Sequence, residues 1–333
     1  MTGTLPALAV SLGLWQDRPP EEAFATARTA DELGFGELWI GEMATYDAFA
    51  LATAVGLATE RISLTVGPLA VTVRDPMTIA VGAASVAAVT GRRVDVALGT
   101  SSPVVVEEWH GRDRARSVTA LRESAAALRP LLAGARSDGD GSVVRSRGYQ
   151  LRLPAPRSTV TVAAFGPAAI EVAARHGDRM VVSLVTVPAA AALAGRLASA
   201  ARAADRPTPR LAAWVPVAVG GVEPAREQVR RMLVGYVAAP GYAEMVAQAG
   251  FGDVVAYAQS RPHPRDLLAA ISDELVDTMA VLGDEATVRD RLARYAAHVD
   301  EVVVLPCCTD DDPAGARTLR ALADRPAGAE AVA

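Results

Sequence analysis

The 333-residue chain contains no lysine; all 33 of its basic residues are arginine. That absence excludes chemistry that needs a lysine amine, namely Schiff-base aldolases, pyridoxal-phosphate enzymes and P-loop NTPases. Asparagine is missing too, and with so much alanine this reads as a bias of genome composition. The two cysteines are adjacent, Cys307 and Cys308, so no disulfide framework can form and they read as small buried thiols. Positive charge is scarce: the formal net charge is -5, which does not advertise the basic face of a nucleic-acid partner. Long apolar runs are absent as well, because Arg, Pro or Gly breaks each one short of a membrane span. The first residues lack the charged region and sustained apolar stretch of a signal peptide. These absences predict a soluble cytoplasmic protein whose partner is a small molecule, with neither nucleic acid nor membrane involved.

What is present is a large apolar fraction, 51%, ample for a core. Short β-branched runs alternate with longer Ala/Leu segments carrying Arg and Glu at helical spacing. The runs predict strands at Ala7–Trp15, Glu37–Glu42, Ile62–Val71, Val94–Gly99, Thr159–Phe165, Met180–Val185, Leu211–Val219 and Glu301–Leu305. Among the intervening helices are Glu21–Leu33, Asp47–Thr59, Pro76–Val89 and Arg116–Leu132; the third has Asp75-Pro76 as its start and Thr90-Gly91 as its stop. Such alternation demands parallel strands joined by helical crossovers. An open doubly wound sheet and a closed (β/α)8 TIM barrel both satisfy it. About eight repeats favour the α/β barrel, which typically takes about 250 residues plus insertions. Two insertions are readable: a hairpin over 138–149, after the fourth helix, and a helical segment over 240–283, between strands seven and eight. No low-complexity linker divides the chain, so a single domain is expected over 1–333, with 324–333 as a disordered tail.

Barrel active sites lie at the carboxyl ends of the strands. At the fifth end, Ala164-Phe165-Gly166-Pro167 passes from strand to helix, where free N–H groups and the helix dipole suit an anion. Gly-Pro is also an ordinary helix start. The fourth end, Gly99-Thr100-Ser101-Ser102, offers hydroxyls to a polar ligand or forms a plain Ser-rich turn. Gly67-Pro68 argues for a bulge inside the third strand; base rates alone favour a trans Pro there. Glu42 is either a functional acid at the barrel mouth or a solvated surface residue. His110, His176, His263 and His298 lack metal-site spacing, so no zinc is expected. His176 and His298 read as cations at helix C-termini, and only His110, after the fourth strand, is placed to meet a ligand.

Four stretches together resemble the luciferase-like flavin and deazaflavin oxidoreductases, in particular the actinobacterial branch that uses coenzyme F420. They are Leu38-Trp39-Ile40-Gly41-Glu42; Val66-Gly67-Pro68-Leu69 with Arg74-Asp75-Pro76; Ala97-Leu98-Gly99-Thr100-Ser101-Ser102-Pro103 with Glu108-Trp109-His110-Gly111; and Ala163-Ala164-Phe165-Gly166-Pro167 with Gly177-Asp178. The resemblance implies a TIM barrel with a cis peptide at Gly67-Pro68 backing the deazaflavin ring. It implies cofactor contacts at Glu42, Gly67, Pro68, Leu69, Gly99, Thr100, Ser101, Ser102, Ala164, Phe165, Gly166, Pro167 and Ser183, with the phosphate at Phe165-Gly166-Pro167. The substrate would sit among Trp15, Met43, Tyr46 and Trp109, with Glu42 beside the ring and His110 as proton donor. Two positions depart from the family: Met43 stands where a His normally follows the acid, and Ser102 stands near the place of a Glu. Without that acid/base pair, substrate oxidation is disfavoured and reduction of an activated C=C or C=N bond is expected. An FMN-dependent monooxygenase and a non-catalytic deazaflavin-binding paralogue are the alternatives. The family also implies a homodimer through an apolar helical face. The coenzyme's phosphate and oligoglutamate tail must be met by Arg and backbone N–H groups, since no lysine is available.

Overall fold

Eight parallel strands, each shielded by helices, close into a ring. The computed structural model describes residues 5–15, 17–42 and 44–323; Met43 and the expected tail over 324–333 lie outside the described residues. The first half runs β1 (Ala7–Ser11), α1 (Glu22–Glu32), β2 (Glu37–Ile40), α2 (Ala48–Ala58), β3 (Ser63–Ala70), α3 (Pro76–Thr90), β4 (Val94–Gly99) and α4 (Ser117–Leu132). The expected hairpin follows as antiparallel β5 (Arg136–Asp140) and β6 (Arg145–Gln150). Then come β7 (Val160–Ala163), α5 (Pro167–His176), β8 (Arg179–Ser183), α6 (Val187–Ala203), β9 (Arg210–Val219) and α7 (Val222–Val234). The second insertion holds α8 (Tyr242–Val246), α9 (Gly252–Gln259), α10 (Pro264–Ala270) and α11 (Asp273–Met279). After it, β10 (Val281–Gly283), α12 (Glu285–Ala293), β11 (Glu301–Pro306) and α13 (Ala316–Leu322) complete the chain.

The barrel order is β1-β2-β3-β4-β7-β8-β9-β11, and pairing of β11 with β1 shuts the ring. The three-residue β10 pairs with the far end of β9 and is too short to leave a sequence signal. Several strands stop earlier than the apolar runs imply. Trp15, Glu42 and Phe165 lie in loops beyond β1, β2 and β7, because inter-strand pairing ends there and the chain bends; Leu14, for example, has φ 44°, which no ladder continues. Among the described residues no helix is long and apolar enough to cross a membrane.

Strand side chains alternate between the helices outside and the barrel interior. The outward set, including Val10, Leu38, Leu64, Leu98 and Val162, joins the helices in one large core. The inward set forms layers. At the amino-terminal end the layer is charged: Arg179 donates to Glu37 at 2.8 and 2.6 Å and to Glu301 at 2.9 Å, and also to Thr161 and Thr65. Above it, one wholly buried indole, Trp39, is surrounded by Ala9, Ala97, Val181, Ala212 and Val303. The small neighbours are what make room for that ring. Arg179 lies 4.5 Å from its centroid, a cation–π contact.

One guanidinium serves two buried carboxylates, so they titrate in opposite senses. Burial opposes the charge on Glu37, but the hydrogen bonds and charge of Arg179 outweigh it and its pKa falls below the ordinary value. Burial and the nearby Glu37 raise Glu301 despite Arg179 and Arg210. The Glu37 contribution is present at neutral pH and fades as acid titrates its folded form; that of Glu301 runs the other way. Arg179→Met leaves both acids in the floor with only the half-exposed Arg210 as counter-charge. The expected cost is about 3–5 kcal/mol. Because the folded variant then holds protons that its unfolded chain releases, its stability should fall as pH rises from about 5 to 8. Urea denaturation of both proteins across that range measures this; equal pH slopes would contradict it.

Candidate functional site

By the same alternation, the inward positions above Trp39 include Gly41, Gly67, Gly99, Ala163, Ser183 and Trp214. Most of these are small, and they lie at the carboxyl end of the barrel, where such a fold builds its site. Trp214 forms one wall, edge-on to Trp39 at 5.4 Å. Neither buried indole N–H has a partner.

The expected bulge is present. The pairing of β3 with β4 shifts between Val66 and Leu69, and the Gly67-Pro68 bond is cis. Gly67 has φ +125°, and a methyl group on it would stand 2.2 Å from the Ala97 carbonyl oxygen. Pro68 faces Gly99, whose own Cα hydrogens point within van der Waals reach of Pro68 and Ala163. Gly67, Pro68 and Gly99 are thus brought together as one wall. Leu69 and Ala164, expected beside them, turn their side chains into the outer core and can offer the mouth only backbone. That follows from strand alternation: each adjoins an inward-facing residue.

Glu42 is half-buried and not a free acid. Arg74 grips both of its oxygens, one Nε–Oε2 contact being 2.9 Å, and the Ala48 N–H donates to Oε1 at 3.3 Å. The same guanidinium bonds Asp47, the cap of α2, and lies over the Phe49 ring. Arg74 belongs to a stretch that carried the family resemblance, but no sequence pattern marks it as the partner of Glu42, thirty-two residues earlier.

Beyond β4, Thr100 and Ser102 are half-buried and Ser101 is exposed with φ +56°, a strained state typical of functional loops. The Ser102 hydroxyl accepts the Val105 N–H at 3.2 Å and is spent as a local cap. Arg114 donates to the Ser101 carbonyl at 2.7 Å, makes no ion pair among the described residues, and keeps a buried Nε–H with no partner. It was hidden in the sequence among Arg112, Arg116 and other arginines. Beyond the adjacent β7, α5 starts at exposed Gly166 and Pro167 with no side chain capping its N–H groups. An unsatisfied guanidinium N–H on one loop and an uncapped helix start on the next fit the phosphate of a bound cofactor.

The second insertion covers one side of this region. Phe165 packs on Tyr242 with centroids 4.8 Å apart, and Tyr236 packs on Tyr242 at 5.0 Å. Burial together with neighbouring Tyr236 pushes the Tyr242 pKa well above the ordinary value, against a smaller influence of the nearby Ser183 side chain. Gly241 permits the close approach, since a methyl group there would stand 2.9 Å from Phe165 Cβ. Ser183 therefore has beside it a tyrosine the sequence did not single out.

The remaining expectations scatter. Trp15 donates its indole N–H to the Pro306 carbonyl at 3.0 Å, pinning the first loop to the last strand. Tyr46 packs edge-on to Phe24 at 6.4 Å. Trp109, about half exposed, and exposed His110 end the helical turn Val104–Trp109 on the surface. His176 is not the expected cation: burial, then the charges of Arg206, Arg175 and Arg122, lower its pKa. Cys307 and Cys308 are buried thiols, as expected. A direct test of the mouth is Gly67→Ala, which forces a methyl against the Ala97 carbonyl in a backbone state that alanine resists. The expected cost is about 3 kcal/mol or more, read by thermal and urea unfolding; Gly166→Ala, with open space around it, should change stability little.

With this geometry in view, comparisons place the chain. A model of the luciferase-like monooxygenase family matches residues 5–301. A Mycobacterium tuberculosis protein named as a coenzyme F420-dependent oxidoreductase is 29% identical over 147 residues, 44% of this chain and 41% of that protein. The chain thus aligns with less than half the length of this curated relative. The coenzyme F420-dependent tetrahydromethanopterin reductase of Methanopyrus kandleri superimposes with a TM-score of 0.77 at 17% identity, covering 96% of this chain and 98% of that one. The oxygenating constituent of 3,6-diketocamphane monooxygenase from Pseudomonas putida, in complex with FMN, reaches 0.73 at 16% identity, covering 96% and 97%. At such identities the structures speak for the fold alone, whereas the family match spans most of the sequence: the chain belongs to the luciferase-like monooxygenase family.

Proposed function

We propose that the protein is a coenzyme F420-dependent oxidoreductase that reduces an activated C=C or C=N bond in a small organic substrate. The observation that carries this reading is the uncapped start of α5 at the mouth walled by Gly67-Pro68, Gly99 and Ala163, with the unpartnered Nε–H of Arg114 on the loop after β4. Arg114 and the Ala168 and Ala169 N–H groups hold the coenzyme phosphate, while the glycine wall lets a flat ring approach the strand ends. When bound, the deazaflavin supplies the hydride. The name of the mycobacterial relative favours a deazaflavin over a flavin.

The protein's own acid/base groups support reduction over oxidation. Glu42 is engaged by Arg74 and orders the loop after β2, and His110 stands out on the surface. Water, or the Tyr242–Ser183 pair, then delivers the proton. An FMN-dependent monooxygenase would use the same phosphate cradle, and the FMN-bound structural neighbour keeps that reading in play.

Titration of the purified protein with oxidised F420 and with FMN, followed by fluorescence, separates the two. F420 is expected to bind at low micromolar or tighter concentrations and FMN far more weakly; the reverse order would overturn the assignment. Gly166→Asp sharpens the test. Its carboxylate would cap α5 and raise stability by only a few tenths of a kcal/mol, yet repel the phosphate and weaken coenzyme binding at least tenfold.

We also infer a homodimer through α2 and α3, which carry no charged residue along their lengths. Leu57, Val81 and Val89 are exposed at 65%, 43% and 59%. An uncharged face can meet its own copy about a two-fold axis without like-charge repulsion. Light scattering should report a dimer for the native chain and a monomer for Leu57→Glu/Val89→Glu; a native monomer would refute the arrangement.

A further inference from the structure

Outside the barrel, a groove of about 430 Å³ runs between α4 and α5. Its lining includes Ala168, in the first turn of α5 and two residues past Gly166. Arg122 and Arg175 line it along with Glu171. Two features show that these guanidiniums keep a usable positive charge. Among the described residues Arg122 approaches only Glu123, at 3.6 Å, and that carboxylate already accepts the Ser142, Val143 and Val144 N–H groups. Arg175 pairs with Glu171 at 3.0 Å on its own helix, with both side chains about half exposed, an arrangement worth little in water and readily exchanged. Burial, and then the charges of Arg206, Arg175 and Arg122, lower the pKa of nearby His176.

We propose that this groove is the docking channel for the oligoglutamate tail of the deazaflavin, with Arg122 and Arg175 as the partners of its carboxylates. This rests on the coenzyme assignment above and adds to it which arginines take the place of the missing lysines. The dimensions agree. From Pro167 to Arg175 the helix rises about 12 Å, which about four extended residues span. Glu171, between the two, opposes the tail and limits its affinity.

The test compares F420 bearing several glutamates with the same phosphate-bearing coenzyme stripped of them. Both are titrated by fluorescence into the intact protein at low salt and in about 0.5 M KCl, where exposed charge pairs are screened. The tailed form should bind about tenfold tighter at low salt, the sum of two half-exposed charge pairs, and lose that advantage in KCl. Arg122→Gln/Arg175→Gln should abolish the advantage while leaving the stripped form unaffected. Glu171→Gln should instead strengthen binding of the tailed form alone. Equal affinity of the two forms for the native protein, or an advantage that survives the double substitution, would overturn the channel while leaving the coenzyme assignment intact. Failure of both forms to bind would overturn the assignment and the channel together.

Discussion

The structure depends on how one buried guanidinium is neutralised. Arg179 sits in the floor of a closed barrel, where only strand side chains can reach it, and Glu37 from β2 and Glu301 from β11 meet it there. Leaving either charge unpaired in that interior costs several kcal/mol, so the three strands must come together in one register. Trp39 lies directly above the guanidinium and needs alanines around it to fit. With the charge concentrated below, the upper layer is left largely to glycine, alanine and serine, with Trp214 as a large side chain on one side.

Stability and binding pull apart at the start of α5. The starts of α2, α3, α6, α11 and α12 are closed by Asp47, Asp75, Thr186, Ser272 and Asp284, each accepting N–H groups of its own first turn. Gly166 offers no side chain, so α5, like α1, α4, α7, α9 and α13, has no side-chain cap, at a cost of about a few tenths of a kcal/mol for a glycine. Arg114 shows the same economy in reverse, a buried N–H left without a partner on the neighbouring loop. Groups left unsatisfied at one spot are what a ligand can satisfy. Elsewhere at the mouth polar groups already have partners within the protein, Glu42 in Arg74 and the Ser102 oxygen in the Val105 N–H. That contrast separates the residues that hold a ligand from those that merely order its surroundings.

Much of this was legible in the chain, and for an identifiable reason. Parallel strands buried on both faces must be continuous apolar runs, and crossover helices must start and stop with caps such as Asp75-Pro76 and Gly91. The bulge at Gly67-Pro68 was legible because proline cannot donate to the ladder, so an inner strand accepts it only where pairing is already broken. The hairpin after the fourth helix was visible from its Gly-rich turn. What stayed hidden involves pairs distant in sequence. Arg74 with Glu42, Arg114 with Ser101, and Tyr242 with Phe165 leave no local pattern, since any of many arginines or tyrosines could have filled those roles. The sharing of sides by neighbouring residues also misled: Leu69 and Ala164 adjoin mouth residues but point into the outer core.

The sequence by itself determined the strand and helix order, the closed barrel and the end at which chemistry gathers, because these follow from periodicity, capping and chain connectivity. It also determined that every cationic contact to an anionic ligand must be made by arginine, since lysine is absent. Only the tertiary structure decided which arginines those are. Arg179 is sealed in the floor and Arg74 is bound to Glu42, while Arg114 stays without an ion pair on the loop after β4 and Arg122 and Arg175 line the groove between α4 and α5. The physical reason is that charge is identical along the chain, and its availability is set by burial and by which carboxylate folding brings within reach.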